Sequence, residues 1–224
     1  HVTPAGEVDW NKLQRTSKLA ARFMDNMIEL NKYPIPAIDY MVRQTRKVGV
    51  GVMGFAQMLY KIGIPYNSEE AVNLIEKIMK TIHTSIQEAS VELAEERGVY
   101  PAWQGSRWQE QGIKIRNSHL TSIAPTGTIS MLANTSSGIE PYFNLVTIRK
   151  SFFNQSGDNS ANSATTLRVV ADDFEAIAKE RGFYSDELMD KISEEGSIQG
   201  FSEIPEDIKK TFVTSRDVAL EWHV

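Results

Sequence analysis

Apolar residues recur at every third or fourth position through much of the N-terminal half, which is the spacing of amphipathic helices. A first helix is predicted over 8–31, with Asp9 as its N-cap. A shorter helix over 37–47 follows two prolines, and a helix over 53–62 follows an apolar run at 48–52 that is typical of a buried strand. This half of the chain is therefore expected to be mainly helical.

The longest helix is predicted to be capped by Asn67, with Glu70 placed to complete a capping box, and to end before Gly98. The segment after it, 100–116, is aromatic and polar. Its two tryptophans are expected to pack the segment onto the helices. Stacking of their rings on a nucleic-acid base is the alternative.

The C-terminal half has a more varied pattern. The run 142–150 is typical of a strand, and 154–166 is a polar stretch of low complexity that predicts a loop. One helix is predicted over 166–181. Two shorter helices are predicted after Ser185 and near Pro205, so this half also favours helix over strand.

The segment 120–141 joins the two halves. Residues 120–124 predict a buried strand that Pro125 ends, and Thr126–Ser130 predicts a turn of small residues that opens a helix. The first amides of a helix have no intrahelical partners and favour an anion, and Gly127 allows the backbone to approach a ligand closely. The pattern therefore predicts a phosphate-binding turn, although spacing alone favours the simpler alternative of an ordinary capped strand-to-helix turn.

Glycines at 49, 51 and 54 match the G-x-G-x-x-G pattern of dinucleotide-binding folds. The residues before them are charged and no βαβ unit follows, so the context of that pattern is missing. Close packing of a short strand is the favoured interpretation. A dinucleotide-dependent enzyme is kept as a competing hypothesis.

The chain has 224 residues, of which 41% are hydrophobic and 24% charged, and its net charge is −5. These values are typical of a soluble globular protein and argue against nonspecific binding to nucleic acid or to an anionic membrane. No apolar run is long enough to span a membrane, and the first residues lack the features of a signal peptide. A cytoplasmic location is therefore predicted.

Cysteine is absent from the chain, which excludes disulfides, thiolate metal sites and thiol catalysis within it. His83 has no second histidine at metal-binding spacing, so no metal site is predicted. Glu140 is the only acid in the central segment, and a structural role is favoured because acid–base catalysis usually needs a second perturbed group nearby. No catalytic residue is predicted.

The central segment contains APTGTIS at 124–130 and TSSGIEP at 135–141. Together they resemble the large catalytic subunit of ribonucleotide reductases, and most of all the adenosylcobalamin-dependent class. In that family the P-T-G-T-I segment binds the phosphates of the substrate. The resemblance places this role on Pro125, Thr126, Gly127, Thr128 and Ile129.

The resemblance also implies a fold. The family has a ten-stranded α/β barrel, so the chain is expected to be a helix-rich part of such a barrel. Residues 1–224 would form a single partial domain from the C-terminal portion of the barrel, with the polar loop at 154–166. By the same resemblance, the chain is expected to begin just past the loop that carries the radical cysteine and to stop before further barrel structure.

The implied function is conversion of ribonucleotides, expected to be diphosphates, to 2′-deoxyribonucleotides by radical chemistry, with adenosylcobalamin as cofactor of the complete enzyme. Members of the family use a cysteine radical and a redox-active cysteine pair, which this chain lacks. It is therefore expected to supply phosphate anchoring and to be inactive without the remainder of the reductase chain. The alternative is a non-catalytic binding or assembly module of a split reductase that docks onto a cysteine-bearing partner, and a homo-oligomer remains open.

Overall fold

A computed structural model describes residues 2–3, 5–151 and 165–223. The chain forms two compact units, each assembled from two separate segments. The first unit comprises His1–Val52 and Val72–Pro125, and the second comprises Met53–Ala71 and Thr126–Val224. Most of the predicted polar loop, residues 154–164, lies outside the described residues.

The elements follow one another in this order: α1 (Trp10–Leu30), α2 (Pro36–Thr45), α3 (Phe55–Ile62), α4 (Glu69–Arg97), a 3₁₀ turn (Pro101–Trp103), α5 (Arg107–Glu110), α6 (Gly127–Leu132), β1 (Val146–Ser151), β2 (Thr165–Val170), α7 (Asp172–Glu180), α8 (Asp186–Glu195), α9 (Glu206–Thr211) and a second 3₁₀ turn (Leu220–Trp222). In the described part of the chain, no helix combines the length and the hydrophobicity needed to cross a bilayer.

The long helices α1 and α4 form the frame of the first unit. The carboxylate of Asp9 accepts a hydrogen bond from the amide of Lys12 at 2.9 Å, which confirms the predicted N-cap of α1. Lys18 of α1 forms ion pairs with Glu88 and Glu92 of α4, at 2.9 and 3.2 Å. Apolar side chains of both helices are buried, and they include Leu13, Ala21, Ile28, Ile82, Ile86 and Leu93.

The predicted cap of α4 is wrong by one residue. The helix begins at Glu69, so Ser68 and not Asn67 takes the N-cap position. The hydroxyl of Ser68 accepts a hydrogen bond from the amide of Ala71 at 3.2 Å, as a capping serine does. At the other end the prediction is confirmed, because Gly98 follows the last helical residue with φ +83°.

The two predicted strands of the first unit form a short parallel pairing, and Val2 and Val8 form an isolated antiparallel bridge. Val50 and Thr121 form an isolated parallel bridge. The amide of Ser122 donates to the carbonyl of Val50 at 3.1 Å. A Cβ on Gly51 would lie 2.3 Å from the carbonyl oxygen of Ser122, so glycine is required for this close approach. The next residue, Ile123, is 69% exposed. The prediction of a buried strand over 120–124 is therefore wrong for the end of that segment.

A charged cluster is buried in the first unit around Asp25, which is 0% exposed. Its carboxylate accepts hydrogen bonds from Arg46 Nη2 at 2.7 Å, Arg97 Nη1 at 3.0 Å and Asn117 Nδ2 at 3.1 Å. Burial by itself raises the pKa of Asp25, but the hydrogen bond and charge of Arg46, aided by Asn117 and Arg116, outweigh burial and leave the pKa below its ordinary value. Asp25 is therefore ionised at neutral pH.

This lowered pKa predicts a dependence of stability on pH. The stabilisation that comes from ionised Asp25 is fully present above the carboxyl pKa of the unfolded chain, about 4, and is lost as pH falls through the lower folded-state pKa. We expect the difference in unfolding free energy between the wild type and Asp25→Asn to be constant from about pH 5 to 8 and to shrink below about pH 4. Urea titrations across this range measure it. A difference that changes mainly between pH 6 and 8 would contradict the assignment to Asp25.

The second unit contains a two-stranded antiparallel sheet in which Val146 of β1 pairs with Val170 of β2. The predicted helix over 166–181 is therefore wrong in its first part, and helix α7 occupies only Asp172–Glu180. The sequence of β2, TTLRVV, is rich in β-branched residues, which favour strands once a partner strand is available. The predicted strand over 142–150 is confirmed in its second half as β1.

The hydrophobic core of the second unit is built around Phe174, which is 0% exposed. Its ring lies 5.6 Å from that of Phe212 and 6.1 Å from that of Phe183. Tyr60 packs on Phe212 with a centroid distance of 4.6 Å, and its hydroxyl donates to the carbonyl of Val213 at 2.6 Å. The other buried members include Leu145, Val146, Met189, Ile192, Ile198 and Ile204.

Candidate phosphate-binding loop

The predicted phosphate-binding segment forms the start of helix α6. Thr126 is the N-cap residue, with the left-handed backbone angles φ 50° and ψ 20°, and its side chain caps no amide of the helix. Within the described residues, the amides of Gly127, Thr128 and Ile129 have no acceptor from backbone or side chain. Three neighbouring N–H groups are thus free to bind an anion.

Two hydroxyls add to these amides. Thr126 Oγ1 accepts a hydrogen bond from the amide of Gly138 at 2.8 Å, which leaves its own proton free to donate to a ligand. Thr128 is exposed, so its hydroxyl is open to solvent. Ser130, in contrast, is 2% exposed and its Oγ lies 3.2 Å from the carbonyl of Gly127, so it supports the loop from inside.

The space above the loop is open. A Cβ on Gly127 would meet no atom within 4 Å, so this glycine leaves room over the free amides. Ile129 is 54% exposed and Pro125 is also exposed, which is consistent with a loop that faces solvent. Pro125 lacks an amide hydrogen and offers no donor. The structure thus brings four of the five predicted residues together at one helix start, and Pro125 precedes them directly in the chain.

Beside α6 lies a cleft of about 350 Å³ that sequence analysis missed. Of the five predicted residues only Gly127 lines it, while Glu140 and Tyr142 contribute from the following segment. Burial, together with the nearby charges of Asp173 and Asp172, raises the pKa of Tyr142 to about 12. Its hydroxyl therefore stays protonated at neutral pH and can donate a hydrogen bond. The cleft depends on distant segments, 127–147 and 169–171, which local patterns do not connect.

The dinucleotide hypothesis can be compared with the start of helix α3, where the glycine pattern ends. The amide of Gly54 donates to the carbonyl of Ser136 at 2.8 Å, and the amide of Gln57 donates to Ser136 Oγ at 3.2 Å. These two donors already have partners, and Phe55 and Ala56 between them are buried, which argues against a pyrophosphate site at this helix start. The glycines serve close packing, as the favoured interpretation states.

The remaining candidates have local roles. The indole N–H groups of Trp103 and Trp108 donate to the carbonyls of Ile113 and Ser118, at 2.9 and 3.0 Å, which holds both rings against neighbouring parts of the chain. Their packing onto the helices stays a prediction. His83 Nδ1 lies 3.4 Å from the hydroxyl of Thr121. Across the described ranges 2–3, 5–151 and 165–223, no three His, Cys, Asp or Glu side chains come together in a possible metal site.

The sequence profile of the family described as "Ribonucleotide reductase, barrel domain" matches residues 1–224. The chain belongs to this family. The resemblance carried by the central segment is thereby confirmed, and with it the α/β barrel class of fold. The described residues of the chain contain more helix than strand, with one two-stranded sheet.

Two curated relatives are vitamin B12-dependent ribonucleoside-diphosphate reductases. The one from Thermoplasma acidophilum is 45% identical over 224 residues, which cover 100% of this chain and 28% of that protein. The one from Mycobacterium tuberculosis is 41% identical over 219 residues, which cover 98% of this chain and 30% of that protein. The chain thus spans less than a third of the length of these relatives.

A solved structure supports the fold. The class Id ribonucleotide reductase alpha subunit of Actinobacillus ureae superposes with a TM-score of 0.64 over 90% of this chain and 34% of that one. Sequence identity in this comparison is 24%, so the likeness concerns the fold alone.

Proposed function

We propose that this chain is part of a ribonucleotide reductase that converts ribonucleoside diphosphates to 2′-deoxyribonucleotides by radical chemistry, and that it supplies the loop that binds the substrate phosphates. The observation that carries the proposal is the set of three free amides at Gly127, Thr128 and Ile129, within the segment that resembles the family's phosphate site. The names of the two curated relatives agree with a diphosphate substrate.

The loop suits two linked phosphates for chemical reasons. Backbone amides and the hydroxyls of Thr126 and Thr128 donate hydrogen bonds to an anion without a charged side chain in the loop. Anchoring the phosphates fixes the ribose relative to the reacting groups. This matters because a radical must meet one C–H bond in the right geometry, and positioning of this kind lowers the entropic part of the barrel enzyme's activation free energy.

The reacting groups are proposed to lie elsewhere in the complete enzyme. This chain has no cysteine, so the thiol radical and the reducing thiol pair come from the remainder of the reductase chain. Adenosylcobalamin, the cofactor we propose for the complete enzyme, supplies the radical that starts the reaction. The described residues hold no cluster of metal-ligating side chains, and we assign none of the contacts of this cofactor to them.

The finer features of the fold are proposed on the same basis. We expect the complete barrel to have ten strands, with residues 1–224 as a single partial domain of it. The family match over the whole chain and the fold likeness to an alpha subunit support this assignment.

Gly127→Val tests the phosphate loop directly. The glycine has no neighbour within 4 Å of its added Cβ, so valine should fit the fold but fill the space above the free amides. Thermal unfolding is measured with and without millimolar ribonucleoside diphosphate. We expect the ligand to stabilise the wild type by about 1–2 kcal/mol, as at a ligand concentration roughly tenfold above Kd, and to have no effect on Gly127→Val.

Gly200→Val is the matched control. It introduces the same side chain in the same unit at a glycine that also has no neighbour within 4 Å. This variant should keep the ligand-dependent rise in melting temperature. If Gly127→Val kept the full rise as well, the phosphates would bind elsewhere and the proposal would be wrong.

A further inference from the structure

The segment 134–138 follows helix α6 and is hydrogen-bonded to the phosphate loop. The amide of Thr135 donates to the carbonyl of Ser130 at 3.0 Å, and the amide of Gly138 donates to Thr126 Oγ1 at 2.8 Å. The second bond matters because Thr126 holds a left-handed backbone conformation that a β-branched residue adopts only when its surroundings impose it. The position of the loop therefore depends on the position of this segment.

The other side of the segment is bound to the first turn of helix α3. The hydroxyl of Thr135 donates to Gln57 Oε1 at 2.6 Å, and Gln57 Nε2 donates to the carbonyl of Asn134 at 3.3 Å. The side chain of Gln57 thus uses both its acceptor and its donor on two neighbouring residues. The backbone N–H of Gln57 also donates to Ser136 Oγ at 3.2 Å. Gln57 therefore binds three consecutive residues of the segment, 134–136.

Gly54 makes this arrangement possible. It has φ +83°, and a Cβ at this position would lie 2.4 Å from Thr135 Oγ1. Any side chain at 54 would push away the hydroxyl that Gln57 binds. The contact between α3 and the segment therefore explains why the last position of the G-x-G-x-x-G pattern is a glycine.

We propose that Gln57 is a positioning residue for the phosphate loop, acting through Thr135 and the segment 134–138 to hold Thr126 and the free amides in their binding geometry. The proposal rests on the proposed phosphate-binding function. Gln57 itself does not contact the phosphates. Its loss should weaken phosphate binding because the donors are no longer held in place before the ligand arrives.

The test measures binding of inorganic pyrophosphate by calorimetry to the full natural chain that contains this segment. Gln57→Met removes the amide and keeps the length of the side chain, and Thr135→Val removes the hydroxyl and keeps the volume. Each should weaken binding roughly threefold to tenfold, the effect of one or two hydrogen bonds. Thr135→Ser retains the hydroxyl and should restore affinity close to the wild type.

Thr211→Val is the control for the loss of a threonine hydroxyl. Thr211 Oγ1 donates to the carbonyl of Asp207 at 3.1 Å, in the same unit but in helix α9, and the variant should bind pyrophosphate like the wild type. Melting temperatures of all variants are recorded in the same buffer. A purely structural role for Gln57 would lower the melting temperature and leave the Kd of pyrophosphate unchanged.

The outcomes separate this inference from the function it rests on. Weaker binding in Gln57→Met and Thr135→Val, with recovery in Thr135→Ser, supports the positioning role. If Gln57→Met and Thr135→Val bind pyrophosphate with unchanged affinity while Gly127→Val loses binding, the role of Gln57 is wrong and the proposal for the phosphate loop stands. Absence of pyrophosphate binding in the wild type overturns both. Should Gln57→Met fail to fold, the comparison of valine and serine at position 135 decides.

Discussion

Asp25→Ala is expected to reduce the free energy of unfolding by about 3–5 kcal/mol, because it removes the buried carboxylate and leaves the buried side chain of Arg46 with the half-exposed Glu29 as its ion-pair partner. The guanidinium of Arg46 is 4% exposed and donates to Asp25 from Nε and Nη2, at 3.1 and 2.7 Å. Without the carboxylate, this cation stays buried with only part of its hydrogen bonding. Chemical denaturation followed by circular dichroism measures the loss.

Glu29→Ala is the matched control for Asp25→Ala. Glu29 also forms an ion pair with Arg46, at 2.6 Å, but its side chain is 47% exposed, so water screens the charge and replaces the lost contact. We expect this variant to lose less than about 1 kcal/mol. Equal losses of unfolding free energy in the two variants would show that burial does not decide how much each ion pair of Arg46 contributes to stability.

The contrast between these acids illustrates which features the sequence predicts. The cap of α1 by Asp9 is local, since the carboxylate bonds an amide three residues away, and pattern analysis found it. The cluster around Asp25 joins positions 25, 46, 97 and 117, which no periodicity relates. Asp25 itself lies within the first predicted helix and offers no local sign that it is buried.

A similar limit applies to the candidate site. The phosphate loop was predicted because its residues are contiguous and resemble a family motif, and the structure places their amides at one helix start. The contact of Gln57 with Thr135 joins residues 78 positions apart. Gly54 stands out in the sequence only as part of the G-x-G-x-x-G pattern, which gives no sign of this contact.

The error over 166–170 has a different cause. Leu167 and Val170 are spaced by three, which suits a helix that continues to Phe174. The run TTLRVV is also rich in threonine and valine, whose β-branched side chains suit a strand. Pairing with β1, in register from Val146↔Val170 to Ser151↔Thr165, decides between them. Short runs of this kind are ambiguous until the partner strand is known.

Phe174→Ala is the second variant expected to be severely destabilised, by about 3–5 kcal/mol. The side chain is 0% exposed and contacts the rings of Phe183 and Phe212, so truncation leaves a cavity and removes two aromatic contacts. Guanidinium titration measures the change. The slope of the free energy with denaturant should stay the same, because the folded state keeps its buried surface.

Phe143→Ala makes the same chemical change at a phenylalanine of the same unit that is 67% exposed. Its ring lies 5.3 Å from the guanidinium of Arg216, a contact that contributes about 0.5–1 kcal/mol at exposed sites. We expect a loss below about 1 kcal/mol, so the two variants separate burial from residue type.

Because Phe174 does not line the cleft beside α6, ligand binding by Phe174→Ala should fall only with the folded fraction. Weaker binding by fully folded Phe174→Ala would instead mean that the core under α7 also sets the geometry of the cleft.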